Sequence, residues 1–519
     1  MDHHEYAGFD ALQLARLVAT GETTATQLLA AARKRAHEVN PALNAVVRWL
    51  DDEADARAGA APVGPFGGVP FLLKDLRQGI AGVPTSWGTR ALAAWRPTET
   101  DTVVRRWLDA GLVIFGQTNT PEFGAKGVTE PELFGPTRNP WDLSRTPGGS
   151  SGGAAAAVAA GIVPVAGASD GGGSIRIPAS CCGLFGLKPG RGLVPSGPAR
   201  GEGFHGAATD GVISRSVRDT AAMLDVLRGA DPEAPYLPSA GGGPFLDEVG
   251  RPPGRLRIGV QTESRLNPEP HPAAAAAVAD AAELLTELGH EVVTARVDYD
   301  DADLARDFLL PWFVAAAVQV EAVAATVGLR RRLGRVPRDG FELDTRVMAA
   351  IGRATPAIRY GAALERWHGY VRALSAFHRE HDLLLTPTTA TPPPAIGALD
   401  ITRAERVGAE VALALGAGGL LGRLGIVERA VQRNLGWVPY TQLANLTGRP
   451  AASVPLYWTA DGLPMGVQFV APLGGEGRLL RLAAQLESAR PWADRRPPEP
   501  FPGSGNASSV GQTAVLNGP

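Results

Sequence analysis

Cysteine is nearly absent from this sequence, whose 519 residues include only Cys181 and Cys182. Adjacent cysteines seldom satisfy the geometry of a disulfide bond, so a crosslinked framework is excluded. The first ten residues, MDHHEYAGFD, lack the basic and apolar regions of a secretory signal. No run of the length needed to cross a membrane is continuously apolar, so no transmembrane helix is predicted. These absences favour a protein of the reducing cytoplasm without a membrane partner.

The sequence also lacks an excess of charge, because its formal net charge is −3. This balance does not favour nucleic acid as a partner. The motifs HExxH, paired CxxC and a complete phosphate loop are absent, so neither a metal nor a cofactor is predicted. No cluster of arginines or lysines indicates an anionic substrate.

Glycine and proline, by contrast, are abundant, with 64 and 43 residues. Segment 146–183, TPGGSSGGAAAAVAAGIVPVAGASDGGGSIRIPASCCG, holds two serine sites flanked by glycines. A flexible linker would not carry AAAAVAAGIVPVAGA, which is hydrophobic enough to require burial. A phosphate-binding loop needs a lysine, and this segment has none. A catalytic loop fits better, because the backbone amides of Gly171, Gly172, Gly173 and Ser174 can together hold an oxyanion.

A nucleophilic hydroxyl at Ser174 needs a base, and the residues alone leave two candidates. His205 is the only one of nine histidines in a glycine-rich loop, GEGFHGAATD, and with Asp210 it would complete a Ser–His–Asp triad. Lys74 follows the apolar segment FGGVPFLL, where burial would lower its pKa and make the neutral amine available.

Hydrophobic periodicity predicts alternating helices and strands, which is typical of an α/β fold. Helices are predicted over 9–20 and 24–40, the second capped by Thr24 with Gln27 in a capping box. A βαβ unit is predicted from three segments, 255–260, 273–289 and 290–297. Further strands are predicted at 66–73, 112–119, 162–169, 382–387 and 465–472, and further helices at 100–109, 154–161 and 477–487.

Seven motifs in this order resemble those of the amidase signature family of serine hydrolases. They are GGVPFLLKDL (67–76), TNTPEFG (118–124), TPGGSSGGAAAAVAAG (146–161), SDGGGSIRIPASCCGLFGLKP (169–189), GVISRSVRDTA (211–221), NLTGRPAASVP (445–455) and GLPMGVQF (462–469). The resemblance implies a large mixed twisted β-sheet sandwiched between layers of α-helices. It implies one domain over 1–490, with a helical N-terminal segment (1–60), a signature core (61–225), a variable substrate-pocket region (226–440) and a C-terminal return to the core (441–490). Residues 491–519, rich in Pro, Gly, Ser and Asn, are predicted to form a flexible tail.

The resemblance also implies a Ser–cis-Ser–Lys triad. By motif position, Ser174 is the nucleophile, Lys74 is the base, and Ser150 bridges them after a cis peptide bond from Gly149. Ser151 is the near alternative to Ser150. Asp170 and Arg176 are expected to support the nucleophile loop through hydrogen bonds. Many family members carry a β-branched residue where this chain has Gly171, and its motif resembles the subset that includes nylon-oligomer (6-aminohexanoate cyclic dimer) hydrolases.

The implied activity is hydrolysis of small, hydrophobic or aryl amides through an acyl-enzyme, with lactam oligomers, carbamates and esters as further substrates. A monomer or homodimer is expected. Two alternatives remain open: the glutamine-hydrolysing subunit of an amidotransferase complex, and a non-catalytic scaffold of the same fold. Substrate choice is expected to depend on residues 301–440 and on loops near 85–90 and 124–134. The aromatic candidates for the pocket are Trp87, Phe123, Phe134, Trp312, Phe313 and Trp437.

Overall fold

Two separate β-sheets form the centre of the structure, a computed structural model that describes residues 1–232, 234–236, 242–329, 340–417, 421, 426–499 and 501. The strands are β1 (Val46–Trp49), β2 (Pro70–Lys74), β3 (Val113–Thr118), β4 (Val165–Asp170), β5 (Phe185–Lys188), β6 (Thr209–Ser214), β7 (Arg257–Val260), β8 (Glu291–Thr294), β9 (Leu383–Pro387), β10 (Ala451–Trp458) and β11 (Pro464–Val470). The α-helices are His3–Gly8, Ala11–Ala19, Ala25–Leu43, Asp51–Ala58, Thr102–Asp109, Gly152–Ala159, Arg176–Cys182, Val217–Leu227, Phe245–Glu248, Pro272–Glu287, Asp301–Thr326, Leu343–Ala354, Ala357–Phe377, Arg403–Ala414, Ile426–Leu435, Gln442–Leu446 and Glu476–Ala489, with short 3-10 turns at Arg90–Leu92 and Glu122–Gly124.

The larger sheet has eight strands in the order β4–β6–β5–β10–β11–β9–β7–β8. Neighbouring strands are antiparallel from β4 to β9, and β9, β7 and β8 are parallel. Ala452 of β10 lies between Leu187 of β5 and Phe469 of β11. Helices pack on these strands, so the predicted α/β fold with a large mixed sheet between helices is confirmed.

The smaller sheet has the order β1–β3–β2 and contacts the larger one through β2 and β4. All five residues of β2 are buried, as expected for a strand covered on both faces. The alanine-rich helix Gly152–Ala159 is also wholly buried. Its second residue, Gly153, leaves no space for a methyl group, because an added Cβ would lie 2.4 Å from the backbone nitrogen of Asn119. Because of this close approach, the serine-rich turn before the helix lies directly beside the end of β3.

The local signals in the sequence correspond to observed elements. The capping box of Thr24 and Gln27 is present at the start of helix Ala25–Leu43. The predicted βαβ unit is present as β7, helix Pro272–Glu287 and β8, with β7 and β8 parallel.

Helix Asp301–Thr326 is long and apolar enough to cross a membrane by length and composition, the one such helix in the part of the chain that the structure describes. The sequence predicts no membrane-spanning segment there, because charged residues such as Asp307 interrupt the apolar residues of this helix. Here Val320 is buried in a core cluster, and Asp307 is paired with Arg366 of helix Ala357–Phe377. Its contacts are therefore those of a core helix.

Individual residues within 491–499 contact the rest of the protein, whereas a flexible tail was predicted to begin at 491. Trp492 is only 1% exposed, and its indole N–H donates to the carbonyl of Arg215 over 2.9 Å. Arg35 forms an ion pair with Glu499. Residue 500 and residues 502–519 of the predicted tail lie outside the described residues.

Candidate active site

Lys74 ends β2 with its side chain fully buried among serine hydroxyls. Its Nζ lies 2.8 Å from Oγ of Ser150, 2.9 Å from Oγ of Ser151 and 3.1 Å from Oγ of Ser169. The three serines come from the turn before helix Gly152–Ala159 and from β4, so the contact between the two sheets is what brings these groups together.

Burial lowers the pKa of Lys74 to about 7, although the carboxylates of Asp210 and Asp170 act in the opposite direction. A buried ammonium loses its hydration, and the nearby hydroxyls only partly replace it. Near neutral pH a substantial share of the amine is therefore uncharged and able to accept a proton.

Ser150 and Ser151 both contact Lys74, but they face different surroundings. Ser150 follows a cis peptide bond from Gly149, and it lines a cavity together with Ser174. Ser151 Oγ instead donates to the carbonyl of Ser169 over 3.3 Å. The cavity-facing position of Ser150 favours it as the bridge to Ser174.

The loop that carries Ser174 is held by a buried ion pair between Asp170 and Arg176. Both Asp170 oxygens accept from the guanidinium, over 2.9 Å each. The guanidinium also donates to Gln468 Oε1 (2.6 Å) and Asn445 Oδ1 (2.6 Å). Burial alone would raise the pKa of Asp170, but Arg176 outweighs it and holds that pKa below its ordinary value. Both residues are therefore placed to position the loop, and their supporting role in catalysis stays a prediction.

The predicted oxyanion donors are not equivalent. The N–H of Gly173 donates to Asp170 Oδ1 over 2.7 Å, so it is not free to bind substrate. Within the described residues, the N–H groups of Gly171, Gly172 and Ser174 donate to no protein acceptor. Three of the four amides thus remain available. The amide of Gly173 instead fixes the loop by donating to the carboxylate of Asp170.

A cavity of about 130 Å³ opens beside Ser150 and Ser174. Of the predicted aromatic residues, Phe123 and Trp312 line it. Phe204 also lines the cavity and was not predicted to do so. The sequence interpretation of its loop concerned the neighbouring His205. Helix Asp301–Thr326 contributes Gln319, and helix Leu343–Ala354 contributes Met348.

The alternative Ser–His–Asp triad is not assembled. His205 Nε2 lies 2.8 Å from the hydroxyl of Tyr360, and its ring packs edge-on against Trp367. Asp210 instead accepts from Gln78 Nε2 over 3.2 Å. In the described structure no hydrogen bond joins His205 to Asp210 or Ser174.

Sequence reasoning missed three residues of the site. Ser169 directly precedes Asp170 in β4, where it was read as part of a buried strand. Arg77 and Arg200 both line the cavity, although no basic cluster was expected there. For Arg77 a signal was present, because it stands three positions after Lys74 in KDLR.

Other nucleophiles and metal ligands do not form a second centre in the described ranges. Cys181 and Cys182 are free and buried, and burial raises the pKa of both thiols. Over the same residues, no group of three or more His, Cys, Asp or Glu side chains is arranged to hold a metal ion.

The fold, with a buried lysine beside paired serines at the cavity, is that of an amide hydrolase. A family model described as Amidase matches residues 27–480, and the chain belongs to the amidase signature family, whose members hydrolyse amide bonds. It is 38% identical to a 6-aminohexanoate-cyclic-dimer hydrolase of Pseudomonas sp. (strain NK87), over 94% of this chain and 96% of that protein.

Solved structures agree with this assignment. A 6-aminohexanoate cyclic dimer hydrolase complexed with substrate matches with a TM-score of 0.85 and 36% identity, covering 95% of this chain and 99% of that one. A bacterial aryl acylamidase of the amidase signature family matches with a TM-score of 0.81 and 27% identity, covering 93% and 97%. The family resemblance predicted from the sequence is confirmed.

Proposed function

We propose that this enzyme hydrolyses small amides through an acyl-enzyme formed on Ser174, with Ser150 as proton relay and Lys74 as base. The observation that carries the proposal is the fully buried Lys74 amine, 2.8 Å from the hydroxyl of a serine that shares a cavity with Ser174. A Ser–Lys arrangement is a known variant of triad catalysis.

In the first half-reaction, neutral Lys74 accepts the proton of Ser150 while Ser150 accepts that of Ser174. The alkoxide of Ser174 then attacks the amide carbonyl, and the N–H groups of Gly171 and Gly172 with that of Ser174 stabilise the oxyanion. Protonated Lys74 returns its proton through Ser150 to the leaving nitrogen, which departs as the amine. Water, activated by the same relay, hydrolyses the acyl-enzyme and releases the acid.

The walls of the cavity favour a substrate with apolar or aromatic parts. Phe123, Phe204, Trp312 and Met348 offer rings and a flexible thioether to such a group. The relatives named above are a 6-aminohexanoate-cyclic-dimer hydrolase and an aryl acylamidase, and their names support a substrate with apolar or aromatic parts. We extend the proposal to lactam oligomers, aryl carbamates and esters, because the same acyl transfer applies to each.

The test is product release from a panel: an aryl anilide, a linear alkyl amide, a peptide amide, a cyclic amide dimer, an aryl carbamate and glutamine. The Ser174→Ala variant is the control, with mass spectrometry to detect an acyl adduct on Ser174 in the wild type. We expect cleavage of several neutral amides and its loss in the variant. Cleavage of glutamine alone would favour an amidotransferase subunit, and the absence of any cleavage or covalent adduct would contradict the proposal.

We also propose that residues 1–490 form one domain, because β5 in the first half of the chain pairs with β10 near its end. A monomer or homodimer in the cytoplasm completes the proposal. Sedimentation of the purified chain alone and in lysate tests the proposed monomer or homodimer. A stoichiometric partner protein would contradict that oligomeric state.

A further inference from the structure

Two guanidinium groups in the active-site cavity donate to no acceptor among the described residues. Arg77 follows the end of β2, and Arg200 lies in the loop between β5 and β6. Both line the cavity that holds Ser150 and Ser174. Neither side chain forms a hydrogen bond or an ion pair within the described residues. Other arginines in the interior behave differently: Arg176, for example, donates to several acceptors.

Two carboxylates, Asp210 and Asp101, act on these arginines electrostatically, but both are engaged by other donors. Among its described lining residues Asp210 is the one carboxylate, and it accepts from Gln78. Asp101, which is not among the residues that line the cavity, accepts from the backbone N–H of Gly79 over 2.7 Å. Neither carboxylate forms a hydrogen bond or an ion pair with Arg77 or Arg200 in the described residues, so both guanidinium groups keep their donors for an anionic ligand.

Arg77 is held in place before any ligand arrives. Its guanidinium carbon lies 4.8 Å from the centroid of the Trp87 ring, within range of a cation–π interaction. Its backbone has φ of 56°, a left-handed conformation that is uncommon for a residue with a side chain. Such conformations cluster at ligand sites, where the surroundings fix them. Burial and the neighbouring Arg200 lower the pKa of Arg77 to about 9, which leaves it charged at neutral pH.

We propose that Arg77 and Arg200 form a carboxylate subsite, so that the preferred substrates are amides with a free carboxylate remote from the scissile bond. This inference rests on the proposed function and narrows its substrate class. The planar fork of a guanidinium matches the two oxygens of a carboxylate. The apolar walls then hold the chain between that carboxylate and the amide carbonyl at Ser174. This proposal departs from the sequence-based expectation, in which no cluster of arginines or lysines indicates an anionic substrate.

The test compares two 4-nitroanilides of equal length, the mono-4-nitroanilide of adipic acid and the 4-nitroanilide of 6-oxoheptanoic acid. They differ only in carrying a carboxylate or a methyl ketone at the far end, and both release 4-nitroaniline. We expect kcat/KM to favour the acid by about 10- to 100-fold, the contribution of a charge-assisted hydrogen bond. The acid-to-ketone ratio should fall by that factor in Arg200→Gln and in Arg77→Gln.

Arg372→Gln is the matched control, since it removes one positive charge from an exposed helical position outside the cavity. Its ratio should equal that of the wild type. Equal rates for the two anilides in the wild type, or an unchanged ratio in Arg200→Gln, would overturn the inference.

Binding to the Ser174→Ala variant, measured by calorimetry, separates this inference from the proposed function. If the wild type cleaves neither anilide but Ser174→Ala binds the acid more tightly through Arg200, the subsite stands and the proposed hydrolysis fails. If Ser174→Ala binds the two compounds equally, the subsite is wrong whatever the enzyme cleaves. Thermal unfolding of each arginine variant checks that it is folded.

Discussion

The pH dependence of turnover tests the role of Lys74 most directly. Only the uncharged amine can accept the proton of Ser150, and the pKa of Lys74 is about 7. With a neutral anilide as substrate, kcat/KM should therefore rise with pH and level off above this value. At pH 5 about 1% of the amine is uncharged, so the rate should be about 100-fold below its plateau.

The Asp210→Asn variant tests the direction in which the pH profile shifts when a carboxylate near Lys74 is removed. Among the nearby charges that raise the pKa of Lys74, Asp210 is the largest contributor. Removing this carboxylate destabilises the ammonium, so the rising limb should move to lower pH. If His205 were the base, the Asp210→Asn variant would not be expected to shift the profile in this way. The described hydrogen bonds of His205 do not reach Asp210.

Initial rates from pH 5 to 9.5, followed by release of 4-nitroaniline, give both midpoints. Lys74→Met preserves the bulk of the side chain and should remove turnover at every pH. A flat profile in the wild type, or a wild-type rate in Lys74→Met, would refute the assignment of Lys74 as base.

Two further predictions concern the loop that carries the nucleophile. Asp170→Asn leaves the buried Arg176 without its carboxylate and should lower the free energy of unfolding by about 3–5 kcal/mol; an unchanged urea midpoint would contradict this. Gly173 has φ of 127°, and an added Cβ would lie 2.5 Å from Thr441 Oγ1, so Gly173→Ala should reduce both stability and kcat. Gly171→Ala is its matched control, because the nearest atom to its added Cβ is at an ordinary 3.4 Å; equal losses in the two variants would show that neither the positive φ of Gly173 nor its contact with Thr441 is the cause.

Sequence reasoning was most successful where the signal is local or where a long motif carries it. The capping box of Thr24 and Gln27 depends on residues three positions apart, and it is present. Lys74, Ser150 and Ser174 lie in long motifs, so their positions could be named before their distances were known. Their catalytic roles remain predictions.

The strand order could not be predicted in the same way. β5 pairs with β10, whose residues are far away in the chain, and no local pattern encodes such a partner. The basic subsite was missed for a related reason. Arg77 and Arg200 are isolated in sequence, and only the packing of β2 against β4 and the loop before β6 brings both to one cavity.

The anchoring of Arg176 has a consequence for the order in which the enzyme is made. The acceptor on Gln468 follows Arg176 by 292 residues, so the nucleophile loop cannot be completed until the ribosome has produced most of the chain. At typical rates of synthesis this interval is about 15 to 60 seconds. A nascent chain released before this point carries Lys74, Ser150 and Ser174 but lacks the last partner of the loop. We therefore expect catalytic competence to appear only late in translation.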